Sequence, residues 1–241
     1  MMEVTSPKPS LPTDAQQTSG WTKTLRDNSL SLVLFGCFAL FVVGQAIAGW
    51  MDWNEELKSH HGATLTLGQY LLSGHFYEAL FENWESEFLQ MAAFVVLTAF
   101  LYQRGSAESK DPDGDNPQDA DPREAVDQQD VPGPVRRGGW RLKLYECSLS
   151  LALFALFLVS FVGHAIAGAS VYSREQMAHG EKAVSVLEYM GKAHFWFESM
   201  QNWQSEFLAV FALAVLSIYL RQKGSPESKP VAAPHHQTGA G

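Results

Sequence analysis

Residues 21–110 and 140–229 align without a gap at an offset of 119, and 36 of the 90 aligned pairs are identical. Identity at that level over a fixed offset marks a duplicated module, so the fold must be one that can be built twice in series. Each copy runs in the same order: a long uncharged apolar stretch, a polar and aromatic middle, and a second apolar stretch.

Whole-chain averages conceal this order. With 46% hydrophobic and 18% charged residues and a mean hydropathy of -0.10, the chain reads as an ordinary soluble protein, because polar tails and a linker dilute four apolar runs. Residues 30–49 and 149–169 carry no charge, and each would rise about 30 Å as a helix, the thickness of a bilayer core. The second runs, 88–102 and 207–220, are shorter. They reach spanning length if the helices start near Trp84 and Trp203, with Tyr102 and Tyr219 at the far interface. This predicts an all-α integral membrane protein of four transmembrane helices, with spans at about 30–49, 85–103, 149–169 and 204–221. They form two parallel tandem helical hairpins, each with an outer amphipathic interfacial segment. The alternative is a soluble bundle of unusually apolar helices. A cleaved signal peptide is the poorer account of Ala46-Ile47-Ala48, since Ala165-Ile166-Ala167 recurs in mid-chain. Small-residue spacing explains both, with Gly44 and Ala48, and Gly163 and Ala167, letting a neighbouring helix approach closely.

Lys23 and Arg26, Arg104 and Lys110, Arg136, Arg137, Arg141 and Lys143, and Arg221, Lys223 and Lys229 flank the runs on one side. The loops inside the copies are poorer in such residues, so the positive-inside rule puts both termini and the linker in the cytoplasm. The domain plan is a disordered tail at 1–20, repeat 1 at 21–104, an acidic disordered linker at 105–139, repeat 2 at 140–223 and a disordered tail at 224–241. The linker holds seven Asp, two Glu and five Pro, too little apolar surface to offset the entropy of folding. Most of the net charge of -9 lies in such segments, which argues against nucleic acid as a partner. Cys37 and Cys147 do not align with each other and suggest neither a disulfide framework nor a zinc site.

Polar residues shared by both copies gather in the outer segments. The block Asn83-Trp84-Glu85-Ser86-Glu87-Phe88-Leu89 recurs as Asn202-Trp203-Gln204-Ser205-Glu206-Phe207-Leu208, and His75 recurs as His194. Gln45 and His164 align about one turn before the outer end of the first span. The candidate outer-face polar cluster is therefore Gln45, His75, Asn83, Glu87, His164, His194, Asn202 and Glu206. Structurally, the block reads as a helix start, with Asn83 as its cap, Trp84 and Trp203 as interfacial anchors, and Glu87 favoured by the helix dipole. Functionally, Glu87 and Glu206 would sit just inside the hydrocarbon boundary and bind a cation or relay a proton. Leu67, Leu71, Leu72, Phe76, Leu80 and Trp84 fall at helical intervals, as in an amphipathic helix on the outer surface. His75 and Glu87, and His60 and His75, lack the i, i+4 spacing of a helical metal site. No catalytic residue, metal or cofactor is expected.

The S-L-S-L and G-Q-A-I-A-G elements, the G-H-F loop end, the N-W-x-S-E-F-L block and the R-G-S-A-E-S-K ending resemble a family of uncharacterised bacterial multi-span membrane proteins known only as a domain of unknown function. The resemblance covers both copies and implies a bacterial plasma-membrane protein, but it carries over no activity. The expected function is non-enzymatic, as a structural or interaction component of the cell envelope. The alternative is a small transporter or ion- or proton-conducting protein using the outer-face carboxylates, and a metal-binding membrane enzyme is the least favoured. The expected partners are the lipid bilayer and either further copies of the chain or other membrane proteins.

Overall fold

A computed structural model describes residues 20–239. Apart from Gly20, the tail expected at 1–20 lies outside the described residues, as do 240 and 241. Helices are the regular structure of the described residues, with no strand among them, and these residues separate into two compact units, one up to Leu67 and one from Gly68 onward.

In the first unit a short helix α1 (Gly20–Asp27) precedes α2 (Ser29–Ser59). At 1.5 Å per residue the 31 residues of α2 rise about 46 Å. Leu30, Val33, Phe35, Leu40 and Phe41, spread round its circumference, are exposed. A helix that is apolar all round has no water-facing side, which suits surroundings as apolar as itself. It ends where His61 takes a positive φ of 56° and the Gly62 N–H donates to the Leu57 carbonyl at 2.7 Å. The chain then folds back along the helix. Trp50 Nε1 and Asn54 Nδ2 donate to the Leu65 carbonyl at 2.7 and 2.9 Å, and the Leu65 N–H donates to Asn54 Oδ1 at 2.7 Å.

Helix α3 (Leu67–Leu71) opens at the boundary, and α4 (Gly74–Phe100) follows. Two single-turn 3-10 helices, α5 (Gly133–Arg137) and α6 (Gly139–Glu146) occupy the linker and its exit. Then come α7 (Ser148–Ala178), α8 (Val186–Met190) and α9 (Ala193–Tyr219). Helices α2, α3 and α4 are matched in length by α7, α8 and α9, each pair offset by 119 residues. The fold-back recurs too: Ser173 Oγ donates to the Val184 carbonyl at 3.1 Å and accepts from its N–H at 3.0 Å, 119 residues on from Asn54 and Leu65.

In the second unit α4 packs along α7 and against α9, while α8 lies on α7. Ala165, Ala169, Tyr189 and Phe195 form its core, with Phe161, Tyr172, Val184, Val186 and Met190 around them. Two glycines of α7 set the approach. A Cβ at Gly163 would lie 2.7 Å from the Phe81 ring of α4, and one at Gly168 would lie 2.6 Å from the Tyr189 hydroxyl.

The second helix of each copy differs from expectation. Asn83 and Asn202 do not open helices: α4 begins at Gly74 and α9 at Ala193, so the N-W-x-S-E block sits mid-helix. Asn83 Nδ2 donates to the Ala79 carbonyl at 2.7 Å rather than capping. The expected surface helix running from Leu67 to Trp84 is broken at Leu72 and Ser73, and its later part is the first half of α4. Among the described residues two helices, α2 and α7, are long and apolar enough to cross a membrane. In α4 the uncharged remainder from Phe88 to Phe100 rises only about 20 Å, short of a bilayer core of about 30 Å.

The linker and the described part of the C-terminal segment meet at the ends of α4 and α9. Ser106 Oγ is 3.1 Å from Ser217 Oγ, Gly105 N–H donates to Thr238 Oγ1 at 2.9 Å, and Gly239 N–H donates to the Ser106 carbonyl at 2.9 Å. Lys229 is buried, its ammonium donating to the carbonyls of Gly105, His235 and Gln237. Oxygen partners around each N–H satisfy an ammonium withdrawn from water.

Candidate functional site

Helix α4 places Glu78, Glu82 and Glu85 at i, i+4 and i+7, which puts the three carboxylates on one face. The buried edge of that face meets His164 of α7. Glu85 and His164 have side chains fully withdrawn from solvent, with His164 Nδ1 2.8 Å from Glu85 Oε2. The other Glu85 oxygen, Oε1, accepts from the indole N–H of Trp203 on α9 at 2.9 Å. A carboxylate taken out of water needs such partners, since burying it alone would cost several kcal/mol.

On its far side, His164 Nε2 faces Glu198 of α9, with 3.5 Å to Oε2. Glu198 Oε2 accepts from the Tyr189 hydroxyl at 2.9 Å, and its Oε1 lies 3.1 Å from Nε2 of His194. Exposure rises stepwise along this line. The His164 and Glu85 side chains are 0% exposed, Glu198 is 19% exposed and His194 is 52% exposed. His194, Glu198, His164 and Glu85 thus form a row of titratable groups leading from solvent into the helix packing. A second contact joins the same helices, Asn202 Nδ2 donating to Glu82 Oε1 at 2.5 Å.

The surroundings of the outer groups shift their ionisation. Burial, reinforced by the charge of Glu198, pushes the Glu78 carboxyl up to about 8. Burial, aided by Arg174, lowers His75 to about 4. Glu188 moves the other way, its carboxylate held below its ordinary value by the Ser185 N–H in the capping box that starts α8. Glu78 therefore keeps its proton through neutral pH while Glu188 stays ionised, each set by its own surroundings.

The residues singled out by sequence are distributed unevenly over this geometry. His164 is its centre, and His194 is its exposed end. Trp203 turns its N–H inward to Glu85, while Trp84 meets Phe81 edge-on with 5.9 Å between ring centroids. Asn202 bridges to Glu82 and Asn83 bonds its own helix. His75 lies in the first turn of α4. Glu87 is exposed and Glu206 half-buried, and neither contacts His164 among the described hydrogen bonds and ion pairs. Gly163 takes the Phe81 ring and Ala167 is buried. Gln45, Gly44 and Ala48 lie on α2 in the other unit. No group of three His, Cys, Asp or Glu side chains among the described residues is arranged to hold a metal ion.

Looking only for residues shared by the copies misses Glu85, Glu198, Glu82 and Glu78. Their counterparts at the 119-residue offset are Gln204, Ala79, Gln201 and Phe197, and that of His164 is Gln45. The signal was divergence: at each of these five positions one copy has an ionisable group and the other an amide or an apolar side chain.

Fold and site together define an all-helical protein with two membrane-length helices and a buried histidine flanked by carboxylates. The chain belongs to the family described as Domain of unknown function (DUF6766), which matches residues 21–240. No curated protein matches it, and no solved structure does.

Proposed function

We propose that this chain is a non-enzymatic, multi-span protein of the bacterial plasma membrane that takes up and conducts protons through the line His194, Glu198, His164 and Glu85. One observation carries the reading: a fully buried imidazole has a carboxylate at each of its two ring nitrogens. Such a ring can receive a proton on one nitrogen and give one up from the other. Ionisable groups among apolar helices are costly to keep and commonly mark ion or proton pathways. The membrane setting rests on α2 and α7, the two helices of spanning length. The Lys and Arg flanking these helices favour cytoplasmic termini.

The test is proton uptake into vesicles containing the purified full chain and a pH-sensitive dye, driven by an imposed membrane potential. Wild type is expected to acidify the lumen faster than empty vesicles, and His164→Gln to abolish the difference. Equal rates for wild type and empty vesicles would defeat the proposal.

A second reading has its own support. Both oxygens of Glu85 are occupied, by His164 and Trp203, an arrangement suited to pinning α4, α7 and α9 in one register. On that reading the protein is a structural or interaction component of the envelope. His164→Gln would then lower thermal stability while proton uptake stayed at the background rate throughout.

A further inference from the structure

His164 Nε2 is fully buried yet has no hydrogen-bond partner, although Glu198 Oε2 is only 3.5 Å away. Its other nitrogen has a well-formed bond to Glu85 at 2.8 Å. A buried donor or acceptor left unpaired is uncommon and calls for a reason. The reason lies on the opposite side of the same oxygen. Glu198 Oε2 is the atom to which the Tyr189 hydroxyl donates at 2.9 Å, while His194 stands at Oε1. Glu198 is drawn toward α8 and the start of α9, and it stops just short of hydrogen-bonding distance from the imidazole.

Tyr189 has no freedom to follow Glu198 toward His164. Its side chain is fully buried, its ring lies edge-on to Phe195 at 5.4 Å and near Tyr172 at 5.6 Å, and its hydroxyl sits where a Cβ at Gly168 would be. Helix α8, which carries it, is fixed at its start by the Ser185–Glu188 capping box and by the bonds between Ser173 and Val184 just upstream. The charged and titratable groups facing Glu198 are Glu78 and Glu82 of α4, His164 of α7, His194 of α9 and Tyr189 of α8.

We infer that Tyr189 is a positioning residue that holds the proton line open at one point, between Glu198 and His164, and so sets how fast protons pass. The inference rests on the proton-conducting reading of this site. When Glu198, having taken a proton from His194, closes the gap, that proton passes to His164 Nε2, and the proton on Nδ1 passes to Glu85 Oε2. One proton has then moved inward, Glu198 is left ionised and the ring is neutral again. A further proton moves inward only after Glu85 has given this one up and the ring proton has returned from Nε2 to Nδ1; no other bond changes. The repeat supports a role peculiar to this copy: Tyr70 occupies the position equivalent to Tyr189, but Ala79 stands where Glu198 does.

The experiment uses the full chain in dye-loaded vesicles and compares wild type, Tyr189→Phe and Gly168→Ala. The phenylalanine removes the competing O–H, and the added methyl displaces it. Both variants should raise the proton uptake rate about fivefold, the factor expected for one competing hydrogen bond of ordinary strength. The same proteins labelled with ¹⁵N-histidine supply a readout that packing damage would not imitate: the His164 Nε2 resonance should move toward a hydrogen-bonded position in Tyr189→Phe. Uptake that is unchanged or slower in folded variants, with an unmoved Nε2 resonance, would overturn the inference while leaving proton conduction standing. Wild type indistinguishable from empty vesicles would instead overturn the functional reading, and the resonance alone would then decide whether Tyr189 holds the gap. Should Tyr189→Phe fail to fold, Gly168→Ala carries both readouts.

Discussion

The Glu85–His164 contact is where a single atom change should be felt most. Removing one member of a buried, hydrogen-bonded charge pair leaves the other uncompensated, at a cost of about 3–5 kcal/mol. Glu85→Leu should therefore destabilise the protein by about that much, since it orphans both His164 Nδ1 and the Trp203 indole N–H. The repeat itself supplies the compensating change, because the equivalent positions hold Gln204 and Gln45. The double variant Glu85→Gln with His164→Gln places an amide at each site and should recover most of the stability lost by either single glutamine variant. Denaturation of all four forms in detergent measures the coupling. Purely additive losses would mean the two side chains do not act as a pair.

At the scale of elements, the helix packing of the second unit depends on residues with no side chain at all. Gly163 lets α4 lay the Phe81 ring against the backbone of α7, where an added Cβ would meet the ring at 2.7 Å. The ring is itself wedged between Tyr77 and Trp84, so it has little room to retreat. Gly163→Ala should cost about 1–3 kcal/mol by overpacking and lower the melting temperature in detergent. At the equivalent Gly44 of α2, a Cβ would meet nothing within 4 Å, and Gly44→Ala should be neutral or slightly stabilising, as alanine favours the helix over glycine. Matching losses at both positions would show that the small-residue spacing acts through something other than the Phe81 contact. The placement of α4 also explains why the block around Trp84 was misleading in sequence. Asn, Trp and Glu in that order fit a helix start, but the helix has already begun at Gly74. With tertiary neighbours available, Glu85 of this block bridges to α7 and α9, while Asn83 bonds its own helix instead of capping it.

For the whole molecule, stability should carry a pH dependence to which two groups near the start of α4 contribute in opposite directions. Glu78 loses its proton at about 8 in the folded protein against 4.5 ordinarily. Between those values the folded state binds more protons than the unfolded, so stability falls as pH rises. His75 is lowered from 6.5 to about 4; within that interval the unfolded state binds more protons, and stability rises with pH. The two oppose each other from about 4.5 to 6.5, and of the pair only Glu78 still acts from about 6.5 to 8. The melting temperature in detergent should decline across that upper window, and Glu78→Gln should flatten the decline. An unchanged slope in the variant would assign it to other groups.

The sequence by itself determined the duplication and the order of the long helices in both copies, because a local property, the run of uncharged apolar residues, decides whether a segment becomes a long helix; where those helices begin and end it did not determine. It also determined the apolar character of α2 and marked His164 as an ionisable group inside an otherwise apolar run. Only the tertiary structure decided which carboxylates matter. Glu85 and Glu87 differ by two residues and look equally suitable in sequence, but two residues turn a helix by about 200°, sending Glu85 to His164 and Trp203 and Glu87 to the surface. Glu198 and Tyr189 join the site from α9 and α8 because α7 presents glycine and alanine where they approach. A side chain's direction in a helix is fixed by its neighbours in the chain, but the group it meets is fixed by how the helices pack.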